Sequence, residues 1–269
     1  MKWLESGNLS HCSEFDREGD MLLLGIDLES GGEFNLPAEK NFITEIGMVL
    51  WDTDFSQPVQ IFSTLIDQGR PVAEEAAEYN GISDEMLKRH GAKPDIRILN
   101  RVKELMSLAD YVVAHNGRDF DRPLLAAFFS SQRHRMPEKI WLDTLHDVDY
   151  PRNCASRNLT YLAGFHGILN SFPHRAVTDV LTMLTILSRY DLDAVIENAR
   201  SPRLVVKAEV SFENREKAKA KKFGWESAGE GLKYPKSWVR ILREKDLEPL
   251  RKECDFPLVI LERLKPAGG

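Results

Sequence analysis

Met21-Leu22-Leu23-Leu24-Gly25-Ile26-Asp27-Leu28-Glu29 is a short apolar run that ends on two carboxylates. A run of this length, following a polar leader, reads as a buried strand. Side chains alternate along a strand, so Asp27 and Glu29 share one face two residues apart. Two carboxylates that close are costly unless a cation sits between them. The same spacing recurs at Asp16-Arg17-Glu18 and Asp246-Leu247-Glu248, in a polar leader and at a helix start, where solvation or the helix dipole accounts for the charge. Only Asp27 and Glu29 terminate a buried strand.

Outward from this strand, Ile46–Trp51 and Val59–Ile66 read as two more strands, joined by turn signals that suit antiparallel hairpins. Ile98, Val102, Leu105 and Met106 recur at helical spacing and predict a helix over 95–109, followed by a strand at Tyr111–His115. A helix over 121–132, a short strand at Trp141–Thr144 and helices at Leu159–Phe165 and Ala176–Tyr190 complete an α/β layout with a mixed sheet. The pattern breaks at 191–202, read as a linker. Beyond it, Leu204–Val206, a Lys-rich helix over 213–222, Trp238–Leu242 and Pro257–Ile260 form a smaller α/β unit. The expected organisation is therefore a polar N-terminal extension (1–20), a main domain (21–190), the linker (191–202) and a small basic C-terminal domain (203–269).

The 269 residues are 42% apolar and 29% charged, enough for a real core and a well-solvated surface. Cys12, Cys154 and Cys254 are widely spaced with no CxxC pair, which argues against a disulfide framework or a zinc knuckle and for reduced cytoplasmic thiols. No apolar run approaches the length of a membrane span, so membrane insertion is not expected. The net charge of −6 is unevenly divided. Residues 201–269 carry 16 Lys and Arg against 11 Asp and Glu, a net +5, while residues 1–200 carry 20 against 31, a net −11. That asymmetry suggests a carboxylate-rich centre in front and a basic surface behind.

Two further constellations join the first. In His115-Asn116-Gly117-Arg118-Asp119-Phe120-Asp121-Arg122-Pro123 a strand runs through an Asn-Gly turn into a helix with Pro123 in its first turn. N-capping would explain one of Asp119 and Asp121 and leave the other without a reason. In His174-Arg175-Ala176-Val177-Thr178-Asp179 a loop histidine precedes an aspartate one turn into an apolar helix. His11 with Asp16 and His90 with Asp95 repeat the spacing, but in polar stretches.

Together these residues resemble the DEDDh family of DnaQ-like 3′-5′ exonucleases, the group that includes the proofreading subunit of bacterial DNA polymerase III and RNase T. Asp27 and Glu29 match its first motif, Asp121 its second, and His174 with Asp179 its third, in family order over about residues 21–190. Asp119 stands as a rival to Asp121, because the segment is one residue longer than the commonest family spacing. The resemblance implies a ribonuclease H-like mixed five-stranded sheet flanked by helices. It implies that Asp27, Glu29, Asp121 and Asp179 hold two Mg²⁺ or Mn²⁺ ions, with Asp27 bridging, and that His174 takes the proton of the attacking water. It also suggests Ser30, Gly31, His115, Asn116 and Phe120 for gripping the terminal nucleotide, with Phe120 open to a core role and Asn116 to a turn role. The implied partner is nucleic acid, DNA with an accessible 3′ end first and RNA second, with a non-catalytic binding module as the remaining reading. For residues 203–269, Lys and Arg interleaved with aromatics suit a nucleic-acid contact, while a structural or protein-docking role competes with it.

Overall fold

The computed structural model describes residues 21–33, 36–226, 234 and 236–264; the polar extension 1–20, with Cys12, lies outside the described residues. The apolar run forms the central strand β1 (Leu22–Ser30). β2 (Ile43–Asp52) pairs antiparallel with it and β3 (Gln57–Leu65) antiparallel with β2. On the other side, β4 (Tyr111–Ala114) runs parallel to β1 and β5 (Trp141–Asp143) parallel to β4. The result is the expected mixed sheet, in the order β3-β2-β1-β4-β5, with a ribonuclease H-like arrangement.

The alternation along β1 sorts the core into two layers. Leu24, Ile26 and Leu28 pack with Leu99, Val102 and Leu105 of a helix at Ile96–Leu108 and with Leu124 and Leu125 of a helix at Asp121–Ser131. Leu23, with Val49 and Trp51 of β2, packs against Val180, Met183 and Leu184 of a helix at Ala176–Leu187. In chain order the helices of this unit are α1 (Glu74–Asn80), α2 (Asp84–His90), α3 (Ile96–Leu108), α4 (Asp121–Ser131), α5 (Leu159–Phe165), α6 (Ala176–Leu187) and α7 (Leu192–Arg200). The start of α6 lies so close to β2 that a Cβ on Gly47 would stand 2.5 Å from the Ala176 carbonyl carbon, so only glycine admits this approach.

Residues 191–202 are not a linker. Asp191 caps α7 by accepting the Asp193 and Ala194 N–H groups, and Val195, Ile196 and Ala199 are buried in the α6 layer of the core. The acidic start of this segment, which looks like loop, is a helix cap, and its apolar residues at helical spacing supply the burial that holds the helix.

A second sheet follows, built from β6 (Arg203–Ala208), β7 (Gly224–Glu226), β8 (Ser237–Arg243) and β9 (Leu258–Leu264) in the antiparallel order β7-β8-β6-β9. Two short helices, α8 (Arg215–Ala220) and α9 (Leu247–Glu253), cover one face of it over Leu204, Val206, Phe223, Leu242 and Leu258. The Lys-rich helix is thus shorter than 213–222. Asp147, wholly buried, ties the two sheets by accepting hydrogen bonds from Arg118 at 2.5 and 2.6 Å and from Arg203 at 2.7 Å. Arg243 adds a bond to Asp149 at 2.7 Å. Cys154 and Cys254 are unpaired and half-buried. Among the described residues no helix is long and apolar enough to cross a membrane.

Candidate active site

Strand β1 carries Asp27 and Glu29, and Asp179 reaches them from one turn inside α6; one carboxylate oxygen of each lies within 4.8 Å of the other two. Asp179 is held from the loop that precedes its helix. Its Oδ2 accepts the His174 backbone N–H at 2.9 Å and its Oδ1 the Asn170 side-chain amide at 2.5 Å. The helix itself is pinned to β2 by Glu45, which faces Glu29 in the ladder. Glu45 accepts two hydrogen bonds from the Arg175 guanidinium, both 2.9 Å, and the Ala176 N–H at 3.1 Å. A bidentate charged pair of this kind sets position as well as energy. It fixes where α6 begins and so where Asp179 stands.

Asp121 is the first residue of α4. Its Oδ1 accepts the Leu28 N–H of β1 at 2.9 Å, which ties the second motif to the middle of the first. Asp121 is buried and is the carboxylate that acts most strongly on Asp27, whereas its rival Asp119 is exposed at the cleft rim. Of the two, Asp121 is the one held against β1 beside the other carboxylates.

Crowding of like charge dominates the electrostatics. Burial, then Asp121, Glu29, Asp179 and Glu45, push the Asp27 carboxyl well above the usual range. Burial, with Asp179 and Glu45, raises Glu29 to about 8, against weaker help from Asn80 and Arg175. Burial likewise raises Asp121 and Asp179, the first eased by the Leu28 N–H and the second by Asn170 and the His174 N–H. Two unit charges about 4 Å apart near a protein surface repel by roughly 4 kcal/mol. Three such carboxylates cannot all ionise cheaply without a cation, and a set of hard oxygen donors at this spacing fits Mg²⁺ or Mn²⁺.

The Glu29 shift has a measurable consequence in metal-free protein. Between its ordinary value of 4.5 and about 8, folded Glu29 keeps a proton that the unfolded chain has lost. Stability therefore falls as pH rises through that window. Glu29→Gln removes this contribution: in chelator, its melting temperature exceeds wild type at pH 8 and approaches it at pH 5, with about 2–4 °C for each kcal/mol of repulsion removed. Identical melting profiles across pH for both proteins would contradict the crowding described here.

Asp27, Glu29 and Asp179 open onto a cleft of about 640 Å³ that is also lined by Ser30, His115, Phe120 and His174; Asp121 stays buried behind it. Ser30 enters it at a bulge, since the β1–β2 register shifts between Glu29 and Ser30. His115 bonds Thr144 Oγ1 through Nδ1 at 2.8 Å, and burial lowers its tendency to charge. Phe120 lines the cleft and packs on the core. Gly31 and Asn116 do not line the cleft. A Cβ at Gly31 would sit 2.6 Å from Phe42 Cε2, so this glycine serves close packing. Asn116 adopts φ 67° and gives its N–H to Asp143 Oδ1 at 3.0 Å, a turn role.

The cleft contains residues that sequence reasoning missed. Tyr79 of α1 packs against His174, its ring tilted 38° with centroids 3.9 Å apart, and Asn80 bonds the Ser30 carbonyl at 3.2 Å. Asn158, Leu159 and Thr160 close another wall at the start of α5. Their signal lies only in the three-dimensional approach of α1 and α5 to β1.

Residues 24–187 match the RNase_T family model, described as an exonuclease. A sequence comparison with curated proteins gives no match. Among solved structures, the chain is similar to exonuclease I at a TM-score of 0.55 and 14% identity, covering 70% of this chain and 48% of that one. It is similar to E. coli exonuclease I in complex with a dA16 oligonucleotide at 0.57 and 11%, covering 87% and 67%. The nuclease domain of 3′hExo, a DEDDh family member bound to rAMP, aligns at 0.52 and 18%, covering 64% and 92%. The chain thus spans about half the length of the first of these enzymes. The matched segment takes in most of the chain, including Asp27, Glu29, Asp121, His174 and Asp179, and the chain belongs to this exonuclease family.

Proposed function

We propose that the protein is a metal-dependent 3′-5′ exonuclease that releases nucleoside 5′-monophosphates from the 3′ end of DNA, with two Mg²⁺ or Mn²⁺ ions held by Asp27, Glu29, Asp121 and Asp179. The observation that carries this reading is the convergence of Asp27, Glu29 and Asp179 within 4.8 Å of one another in the cleft that also receives His174. When bound, such ions supply a polarised phosphoryl oxygen and a water acidic enough to attack near neutral pH.

The chain's own groups supply the rest. His174 accepts the proton of the attacking water; a P–O bond forms from that water and the P–O3′ bond breaks, leaving a nucleoside 5′-monophosphate and a new 3′-hydroxyl. Tyr79 against the imidazole face holds the ring in place. Asn170 and the His174 N–H orient Asp179, and the Leu28 N–H orients Asp121, so that their remaining oxygen lone pairs are available to a cation. Ser30, His115 and Phe120 contact the terminal nucleotide through surface and hydrogen bonds that do not depend on base identity. Exonuclease I has been solved with a dA16 oligonucleotide and the 3′hExo nuclease domain with rAMP; DNA is the first reading here and RNA the second.

A gel of 5′-labelled DNA and RNA oligonucleotides, single and paired, with Mg²⁺ or chelator, tests this directly. Mg²⁺-dependent shortening of DNA is expected. Shortening of RNA alone would overturn the choice of polymer, and no shortening of either would overturn the activity.

A further inference from the structure

The second sheet completes its core without two of its large aromatics. Leu204, Val206, Ala218, Phe223, Leu242 and Leu250 fill the space under α8 and α9, yet Phe212 is 78% exposed and Trp225 51% exposed. The competing explanation, that so small a unit spends all its aromatics on packing, fails for these two. They stand instead around a surface hollow of about 690 Å³ that Trp238 also lines. Trp225 and Trp238 form one wall, with ring centroids 5.3 Å apart, and Phe212 the other, with the Arg215 guanidinium 4.2 Å over its ring.

The rim is cationic. Lys207, Arg215, Lys219 and Lys236 line the hollow against one carboxylate, Glu209. Even with Glu216, which pairs with Lys219 at 2.8 Å, cations outnumber carboxylates there two to one. Flat exposed rings beside fixed cations suit a chain that alternates planar bases with phosphates.

We propose that the hollow between Phe212, Trp225 and Trp238 is a second nucleic-acid site, in which bases of single-stranded nucleic acid stack on the rings and its phosphates meet Lys207, Arg215, Lys219 and Lys236. The occupant rests on the nuclease reading above. The site holds a strand away from the reacting end, so it raises affinity for long substrates and leaves chemistry on very short ones alone.

The test uses the full chain with fluorescein-labelled dT20 and rU20 in chelator, read by anisotropy, together with cleavage of dT3 in Mg²⁺. Phe212→Ala with Trp225→Ala is expected to weaken 20-mer binding at least about fivefold. Arg215→Ala and Lys236→Ala should each lower the slope of log K against log salt by about 0.7. Cleavage of dT3 should match wild type in all of them, and the dT20 and rU20 arms show which sugar the site prefers. Phe212→Ala alone, at an exposed position, serves if the double variant misfolds. Wild-type affinity and salt slope in folded variants would overturn the proposal, as would a wild-type protein that binds neither 20-mer. If wild type cleaves dT3 and dT20 while the variants bind as wild type, the second site alone falls. If wild type cleaves nothing, the nuclease reading falls first.

Discussion

Asp27→Asn yields a folded protein whose nucleotide release in Mg²⁺ is lower by about 10³-fold or more, the scale of losing a principal electrostatic stabiliser of a transition state. Asp27 stands among Asp121, Glu29 and Asp179, and each of them raises its proton affinity. Its neutral isostere therefore relieves repulsion as it removes a ligand. In chelator the variant melts at or above the wild-type temperature, because nothing in the metal-free cluster is stabilised by that charge. Mg²⁺ raises the wild-type melting temperature by linkage, about 2.7 kcal/mol at a hundredfold excess over Kd, and leaves the variant nearly unmoved. Paired melting curves and rates check all of this. A variant with full activity, or one that melts lower than wild type in chelator, would contradict the role given to the cluster.

His174→Ala lowers kcat by roughly 10² to 10⁴ with little change in KM, because the lost interaction belongs to the transition state. A structural role would raise KM as kcat falls, so the split between the two parameters separates the readings. The backbone N–H that His174 gives Asp179 survives the substitution, so the carboxylate cluster stays in place. A variant with wild-type kcat would show that another group takes the proton.

Much of this site is legible in the order of residues because it grows from two periodic elements. Strand alternation by itself puts Asp27 and Glu29 of β1 on one face, and an apolar helix bearing Asp179 has to dock on that sheet. Spacing alone could not separate Asp121 from Asp119 or from a helix cap. What decides is the bond from the Leu28 N–H, across 93 residues of chain. The pinning of α6 by Arg175 and Glu45 joins residues 130 apart and leaves no local pattern. Tyr79 belongs to a seven-residue helix too short to show its period, and its contact with His174 depends on where β1 and α6 bring that loop. The segment 191–202 shows the opposite error. A capped helix with an acidic residue in its first turn looks like polar loop until its buried face finds a partner.

The most direct test of the central claim is the identity of the product. Unlabelled dT20 is incubated with the full chain in Mg²⁺, and both the small product and the shortening polymer are weighed by mass spectrometry over time. Thymidine 5′-monophosphate is expected, with a ladder of oligonucleotides that all keep the original 5′ end and carry a 3′-hydroxyl, and chelator stops both. Nucleoside 3′-phosphates, internal fragments, loss from the 5′ end, or undiminished release in chelator would each contradict the account.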